Sequence, residues 1–177
     1  MFYKTTIIRP VTSEEQQQLR DELSKNNDLW EPHGSGKHIT ALDDGLSIHL
    51  NSVLYGKFEH SWFDRFPLTH NILKSVAGER TIARTYWHKL ECGDTIFAHD
   101  DRPLYEVVHD RLDNRYQIYL DCPDNEITID CQSVNAKTFE NSVVNLGLLK
   151  THSYVNNSSA PWLFLVFDVL KPGINLL

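Results

Sequence analysis

Residues Leu90–Asp101 read LECGDTIFAHDD, and this stretch decides which fold and which site are expected of the chain. Residues 92–94 have turn composition, and Thr95–His99 continues as a strand, so two strands meet there. Alternate residues of a strand point to the same face, and His99 and Asp101 therefore share one. An imidazole and a carboxylate aimed at one point can supply two of the three protein ligands of a metal site.

A third ligand is available about 50 residues later, where His152 lies in a further predicted strand. A set of two histidines and one carboxylate suits non-haem Fe(II), because it leaves coordination positions open for oxygen and a cosubstrate. The sequence therefore predicts a metal site made of His99, Asp101 and His152. Asp100 points away from Asp101 and is interpreted as a solvated neighbour.

Composition and charge limit the class of protein. The chain has 177 residues, of which 41% are hydrophobic and 11% aromatic, and this indicates one globular domain over residues 1–177. Its net charge of −7 argues against nucleic acid as a partner. We expect no membrane partner, because no apolar run approaches the roughly 20 residues of a membrane span. An odd number of cysteines without a close pair and a start without an apolar leader predict free thiols in a cytoplasmic protein.

Residues 1–80 are predicted to be helices and loops that support the rest of the chain. Thr12 with Glu15 has the pattern of a capping box and opens a helix that continues to about Lys25. A second helix is predicted over Pro67–Val76, with Gly78 ending it.

Residues 81–170 are predicted to be strands that form the core. Short strands with turns about every 8–12 residues are typical of an all-β sandwich or barrel. The segments with strand composition are Thr81–Glu91, Thr95–His99, Arg115–Cys122, Glu126–Cys131, Lys137–Leu146, Lys150–Asn156 and Trp162–Leu170. Segments 31–45 and 102–114 lie outside them and are candidate lids over a pocket.

The stretch Leu90–Asp101 resembles the opening motif of Fe(II)/2-oxoglutarate dioxygenases, in which a glycine turn precedes a strand that ends in His-x-Asp. Arg115–Leu120 is similar to the next strand of that family. The segments that resemble the last two strands of the family are His152–Ser158 and Leu163–Val169. Over about residues 66–170 the chain most resembles the aspartyl/asparaginyl β-hydroxylase-like group.

This resemblance implies a double-stranded β-helix, the jelly-roll or cupin-like fold, with the N-terminal helices packed on one face. It also implies that Fe(II) is held by His99, Asp101 and His152. Some members of the group have glycine in place of the carboxylate, whereas this chain has Asp101. The implied activity is hydroxylation of a free or peptidyl amino-acid side chain, coupled to conversion of 2-oxoglutarate to succinate and CO2.

One position departs from the family pattern. The closing strand of the family begins with an arginine, about ten residues after the second histidine, that binds the far carboxylate of 2-oxoglutarate. Here Trp162 stands at that position, continuing an apolar strand. A buried carboxylate without a cation is costly. The candidates for the missing cation are Arg115 first, Lys150 second and Arg84 third, the last of which could serve either the cosubstrate or the substrate.

Other positions and functions stay open. Asp168 lies within an apolar run and is interpreted as an anchor that must find hydrogen-bond partners. Asn156 is expected to cap a turn, and His88 is the one further histidine that we keep as a possible pocket residue. The alternative functions are a jelly-roll protein that binds metal or ligand without catalysis, a cupin-type oxygenase without an oxo acid, and a structural interaction module.

Overall fold

The computed structural model describes residues 6–32, 45–52, 61–99, 111–122, 126–129, 132–145 and 151–174. Within these ranges the helices are α1 (Ser13–Lys25) and α2 (Pro67–Ala77). None of the described helices is long and apolar enough to cross a membrane. The strands are β1 (Thr6–Pro10), β2 (Glu31–Pro32), β3 (Leu46–Ser52), β4 (Ile82–Leu90), β5 (Thr95–His99), β6 (Leu112–Asp121), β7 (Glu126–Ile129), β8 (Gln132–Asn135), β9 (Ser142–Asn145), β10 (His152–Val155) and β11 (Trp162–Leu170).

The described strands form two antiparallel sheets. The large sheet has the order β1-β9-β6-β11-β4-β3-β2, and the small sheet has the order β5-β10-β7-β8. From β4 onward the chain passes repeatedly between the two sheets, which is how a jelly roll closes. The prediction of a mainly β jelly roll with helices on one face is confirmed.

Two buried cores lie on opposite faces of the large sheet. The helix-side core packs Leu19 and Leu23 of α1 and Ile72 and Leu73 of α2 against large-sheet residues such as Leu165. The inter-sheet core joins the other face of the large sheet to the small sheet. It contains Leu90, Ile96, Tyr119, Cys122, Ala136, Phe139, Val144, Tyr154, Trp162, Phe164 and Val166. The period-2 alternation of the central strands produces this division.

Both helices begin where the sequence predicts, and two acidic side chains fix them. At α1 the Thr12 hydroxyl accepts from the Glu15 N–H while the Glu15 carboxylate accepts from the Thr12 N–H, which is the predicted capping box. The first turn of α2 has no cap of its own, and Glu22 of α1 accepts hydrogen bonds from Leu68 N and Thr69 N. Gly78 follows α2 with φ of 63°, as expected for a terminating glycine.

The first 80 residues hold more strand than the sequence predicts. β1, β2 and β3 all join the large sheet, although only helices and loops are predicted there. In β3, buried Ile48 and Leu50 face the helix-side core and are separated by half-buried His49, an alternation typical of a strand. β1 carries no such pattern, because its residues are exposed or half-buried at the sheet edge.

Strand boundaries also differ in the second half of the chain. The prediction for Lys137–Leu146 is wrong at its start, where Ala136–Phe139 is a 3-10 turn capped by Asn135. β6 begins at Leu112, so the end of the candidate lid 102–114 belongs to a strand. Residues 102–110 of that lid, most of the lid 31–45, and Cys131 lie outside the described residues. Neither Cys92 nor Cys122 is assigned to a disulfide within the described part of the chain, which agrees with the prediction.

Asn156 joins three chain segments at one end of the barrel. Its side-chain amide donates to the carbonyls of Leu90 and Ala160, and its side-chain oxygen accepts from Ser158 N. Its backbone carbonyl accepts from Gly93 N, and its backbone N–H donates to Asp94 O. The expected turn cap therefore also ties the β4–β5 turn to the end of β10 and the start of β11.

Candidate functional site

Two histidines of the predicted metal site face each other across neighbouring strands. His99 ends β5 and His152 begins β10, and the two are direct partners in the antiparallel pairing. Their ring centroids are 4.6 Å apart. His99 Nδ1 lies 2.7 Å from the carbonyl of Phe97, and in the tautomer that donates this bond Nε2 carries the lone pair a metal requires.

A β-bulge brings the two rings together. The pairing shifts by one residue between His152–His99 and Tyr154–Ile96, so Phe97 and Ala98 of β5 lie opposite the single residue Ser153. Such a bulge re-aims the following side chain. Ile96 lies in the inter-sheet core, and His99, three residues later, contacts His152 on that same side.

The third predicted ligand, Asp101, lies outside the described residues, and so does Lys150. Among the described residues, no group of three or more His, Cys, Asp or Glu side chains is arranged to hold a metal. The two histidines supply neutral nitrogen donors that suit Fe(II) as well as other divalent metals. The donor atoms of His99 and His152 are thus compatible with the Fe(II) that the sequence predicts.

The other two predicted cations flank Asp168 in one row across the large sheet. Asp168 of β11 pairs with Arg84 of β4 on one side and with Arg115 of β6 on the other. Arg115 donates to both oxygens of Asp168, from Nε at 2.7 Å and from Nη2 at 3.0 Å. Arg84 Nε donates to Asp168 Oδ2 at 3.0 Å. We call these three residues the arginine row.

Asp168 is completely buried, and Arg115 is only 3% exposed. Burial alone would raise the pKa of the Asp168 carboxyl, but the charges and hydrogen bonds of Arg115 and Arg84 outweigh it and hold this pKa below its usual range. Asp168 therefore has the hydrogen-bond partners that the sequence requires of a buried carboxylate. These partners, Arg115 and Arg84, are also two of the three cations proposed to bind the cosubstrate. The row contains two positive charges and one negative charge.

A hydrogen-bonded cluster of Gln117, Tyr119 and Tyr154 lies beside the histidine pair. Gln117 Nε2 donates to the Tyr154 hydroxyl at 2.6 Å, and the Tyr119 hydroxyl donates to Gln117 Oε1. Burial raises the pKa of the Tyr154 phenol, and the nearby positive charge of Arg115 opposes that shift. The Tyr154 ring also lies 5.6 Å from the His152 ring. Both predicted parts of the site therefore lie around one buried tyrosine.

Two further aromatic side chains line the same space. Arg84 lies over the Tyr86 ring at 5.0 Å, a cation–π contact. His88 is buried between Tyr86 and Phe164, with ring centroids 4.6 and 4.9 Å away. The alternation along β4 places Arg84, Tyr86 and His88 on one face, as the sequence predicts.

Sequence reasoning found these side chains by alternation but missed how they pair. Nothing local to Arg84, Arg115 or Asp168 specifies that the three are opposite each other, because the register of β4, β11 and β6 is a tertiary property. The one available signal was Asp168 itself. A buried carboxylate must be near a cation, and arginines on predicted strands were the obvious partners.

Comparisons with known proteins identify the fold. No protein-family model and no curated protein sequence matches this chain. Among solved structures, a Pseudomonas putida prolyl-4-hydroxylase is similar, with a TM-score of 0.63 and 12% identity over 95% of this chain and 92% of that one. A Trichoplax adhaerens prolyl hydroxylase, in complex with a peptide of the hypoxia inducible factor, gives 0.66 and 9% identity over 95% and 84%.

A third similar structure is an oxidoreductase of the 2OG-Fe(II) oxygenase family from Burkholderia pseudomallei. It matches with a TM-score of 0.55 and 15% identity over 89% of this chain and 90% of that one. The jelly roll of this protein is therefore the fold of 2-oxoglutarate/Fe(II) oxygenases. At these identities the likeness concerns the fold alone, and the activity must be argued from the site.

Proposed function

We propose that this protein is an Fe(II)- and 2-oxoglutarate-dependent oxygenase that hydroxylates an amino-acid side chain, free or within a peptide. The observation that carries the proposal is the cross-strand pair of His99 and His152, with 4.6 Å between ring centroids, at one end of a jelly roll. Two histidines on neighbouring strands, with Asp101 two residues after His99 in the sequence, support a facial metal site because they are the donor types that such a site uses.

In this proposal His99, His152 and Asp101 hold the iron. Arg115 binds the far carboxylate of 2-oxoglutarate, with Lys150 and Arg84 as the other candidates. Bound iron would supply the oxidising chemistry with O2 as the oxidant. One oxygen atom of O2 enters succinate as 2-oxoglutarate loses CO2, and the other enters a C–H bond of the substrate.

The chain itself contributes orientation and a dry environment. Asp168 holds the Arg115 guanidinium through two hydrogen bonds, so the cation needs little reorganisation when an anion arrives. The network of Gln117, Tyr119 and Tyr154 fixes the buried polar groups beside the histidines. Because these side chains are already oriented, ligand binding loses less free energy to the ordering of side chains.

The substrate class is the finer part of the proposal. The sequence resembles the aspartyl/asparaginyl β-hydroxylase-like group, whereas the similar structures include prolyl hydroxylases, one of them with a bound peptide. Both suggest an amino-acid side chain as the target, and the bound peptide favours a peptidyl one.

The proposal can be tested by metal and cosubstrate binding without oxygen. We expect the wild type to bind Fe(II) and to develop a visible charge-transfer band on addition of 2-oxoglutarate. His99→Ala and His152→Ala should each weaken metal binding by at least about 100-fold. His70→Ala is the matched control, because His70 stacks on Phe63 away from the site. Equal metal affinity in all four proteins would overturn the proposal.

Activity then requires succinate release, measured with Fe(II), 2-oxoglutarate and a panel of amino acids and peptides. One alternative has specific support, namely a jelly roll that binds metal but no oxo acid. Trp162 favours it, because a buried aromatic side chain stands where the related family has a cation. Calorimetry of the metal-loaded protein with 2-oxoglutarate separates the two, since the alternative predicts no heat of binding.

A further inference from the structure

The space between the two sheets has two ends of opposite character. At one end Trp162 pairs with Leu90, and at the other Asp168 pairs with Arg84, six residues further along β11 and about 20 Å away. Thr95 follows the turn after Leu90, so His99, at the far end of β5, lies toward the arginine row. We call these the tryptophan end and the histidine end.

Aromatic packing fills the tryptophan end. Trp162 is fully buried, and its ring lies 5.1 Å from Phe164, 5.7 Å from Tyr154 and 5.9 Å from Tyr119. The rings in contact with Trp162 are the uncharged aromatic side chains of Phe164, Tyr154 and Tyr119. A carboxylate placed there would lose its hydration without gaining a described cation, which is strongly unfavourable.

The histidine end offers the reverse environment. The arginine row places two guanidiniums around one carboxylate. Arg115 and Gln117 share one face of β6, and Gln117 donates to the hydroxyl of Tyr154, whose ring lies 5.6 Å from the His152 ring. An anion bound close to the histidines can therefore reach a net positive group without entering the aromatic end. Guanidinium groups bind carboxylates more strongly than neutral donors do.

From this contrast we propose that Trp162 is a specificity-determining residue for the oxo acid. It closes the tryptophan end, so that a 2-oxo acid held at the histidine pair directs its second carboxylate toward Arg115 and Arg84. The inference rests on the proposed function and deepens it, because it assigns the preference for oxo diacids to Arg115 and Arg84 and the exclusion of oxo acids with long apolar tails to Trp162.

The test measures binding, not turnover, with the Mn(II)-loaded protein in the absence of oxygen. Three ligands separate the contributions: 2-oxoglutarate, 2-oxopentanoate, which has the same carbon number without the second carboxylate, and 2-oxooctanoate, which has a longer apolar tail. Calorimetry gives each dissociation constant. We expect the wild type to prefer 2-oxoglutarate to 2-oxopentanoate by about tenfold or more, and to bind 2-oxooctanoate poorly.

Trp162→Leu should tighten binding of 2-oxooctanoate by about tenfold, since two or more methylene groups gain a buried position. It should leave the preference for 2-oxoglutarate over 2-oxopentanoate intact. Trp87→Leu is the matched control, because Trp87 is equally buried but faces the helix-side core. Neither indole Nε1 has an acceptor among the described residues, so neither substitution removes a described hydrogen bond.

Arg115→Met should abolish the preference for 2-oxoglutarate, and Arg84→Met, at a more exposed position, should reduce it. Thermal unfolding of every variant verifies that it is folded. If oxo acids bind but Trp162→Leu and Trp87→Leu give the same ligand profile, this inference is wrong while the proposed function stands. Retention of the diacid preference in Arg115→Met and Arg84→Met also overturns it. If no oxo acid binds the metal-loaded wild type, the proposed function itself fails.

Discussion

The two faces of the large sheet are built from the same strands, yet they are chemically different. The helix-side face presents Trp87, Ile118, Leu165 and Phe167 to α1 and α2. The inter-sheet face carries the two buried residues of the structure's described part that hold a full charge, Arg115 and Asp168. Alternation therefore separates an apolar face from a face that buries charged side chains.

The two faces of the large sheet differ in how much their buried side chains contribute to stability. Apolar burial on the helix side contributes stability directly. A buried ion row contributes little net stability, because the desolvation cost offsets the attraction between the charges. We infer that the charges between the sheets are kept for ligand binding, and the following predictions address this contrast.

The largest effect is expected from Asp168→Ala. Removal of the carboxylate leaves Arg115 and Arg84 facing each other in a buried site, and stability should fall by about 3–5 kcal/mol. Urea unfolding followed by circular dichroism measures the loss. A loss below about 1 kcal/mol would contradict the view that Asp168 is the anion that neutralises the row.

Replacement of the whole row should restore most of that loss. The triple variant Arg84→Met, Arg115→Met, Asp168→Leu substitutes apolar groups for all three ions, and such replacements are often neutral or stabilising. We expect a stability within about 1–2 kcal/mol of the wild type, together with loss of 2-oxoglutarate binding in calorimetry. A triple variant as unstable as Asp168→Ala would mean that the ions themselves hold the sheets together.

Acid unfolding should depend on Asp168 in a defined direction. Its folded-state pKa is lowered mainly by Arg115 and Arg84 against the opposing effect of burial. Its contribution to stability is therefore complete above the unfolded value of about 3.9 and is lost as the pH falls below it toward the folded value. Asp168→Asn should flatten the profile in that acid range. A parallel profile would show that other carboxyl groups dominate.

Glu22→Ala tests a polar contact on the helix side. It removes the acceptor for the first N–H groups of α2 and the hydrogen bond from the Thr69 hydroxyl at 2.8 Å. The expected loss is about 1–2 kcal/mol in the urea midpoint analysis, without a change in oxo acid affinity. A change in affinity would mean that the helix layer and the site are coupled.

The smallest effect is expected from Thr12→Ala, which removes one half of the capping box of α1. Stability should fall by about 1 kcal/mol. Glu15→Gln keeps the reciprocal geometry and serves as a milder comparison. If Thr12→Ala costs as much as Glu22→Ala, the isolated helix cap matters more than contacts between helices.

The sequence could specify features that depend on neighbours in the chain. The capping box at Thr12 and Glu15, the glycine after α2 and the shared face of Arg115, Gln117 and Tyr119 all follow from local pattern. The alternation of apolar residues at Ile48 and Leu50 is also a local pattern, and it is typical of the strand β3. β1 has no such pattern, because an exposed edge strand has no buried side to mark it.

Features that depend on register could not be obtained in this way. The bulge at Phe97 and Ala98, which brings His99 to His152, is visible only when β5 is paired with β10. The same holds for the position of Asp168 between two arginines. The roles of His99, His152, Arg115 and Arg84 stay predictions that the proposed variants test. The roles of Asp101 and Lys150 stay predictions from the sequence.

The hydrogen bonds around Asn156 restrict how the two sheets can move relative to each other. They fasten β4, β5, β10 and β11 to one another at the tryptophan end. Because these hydrogen bonds tie the two sheets at this end, we expect opening motions between the sheets to be smaller here than at the histidine end. Amide protons of Gly93 and Asn156 should then exchange more slowly with solvent than those at the opposite rim.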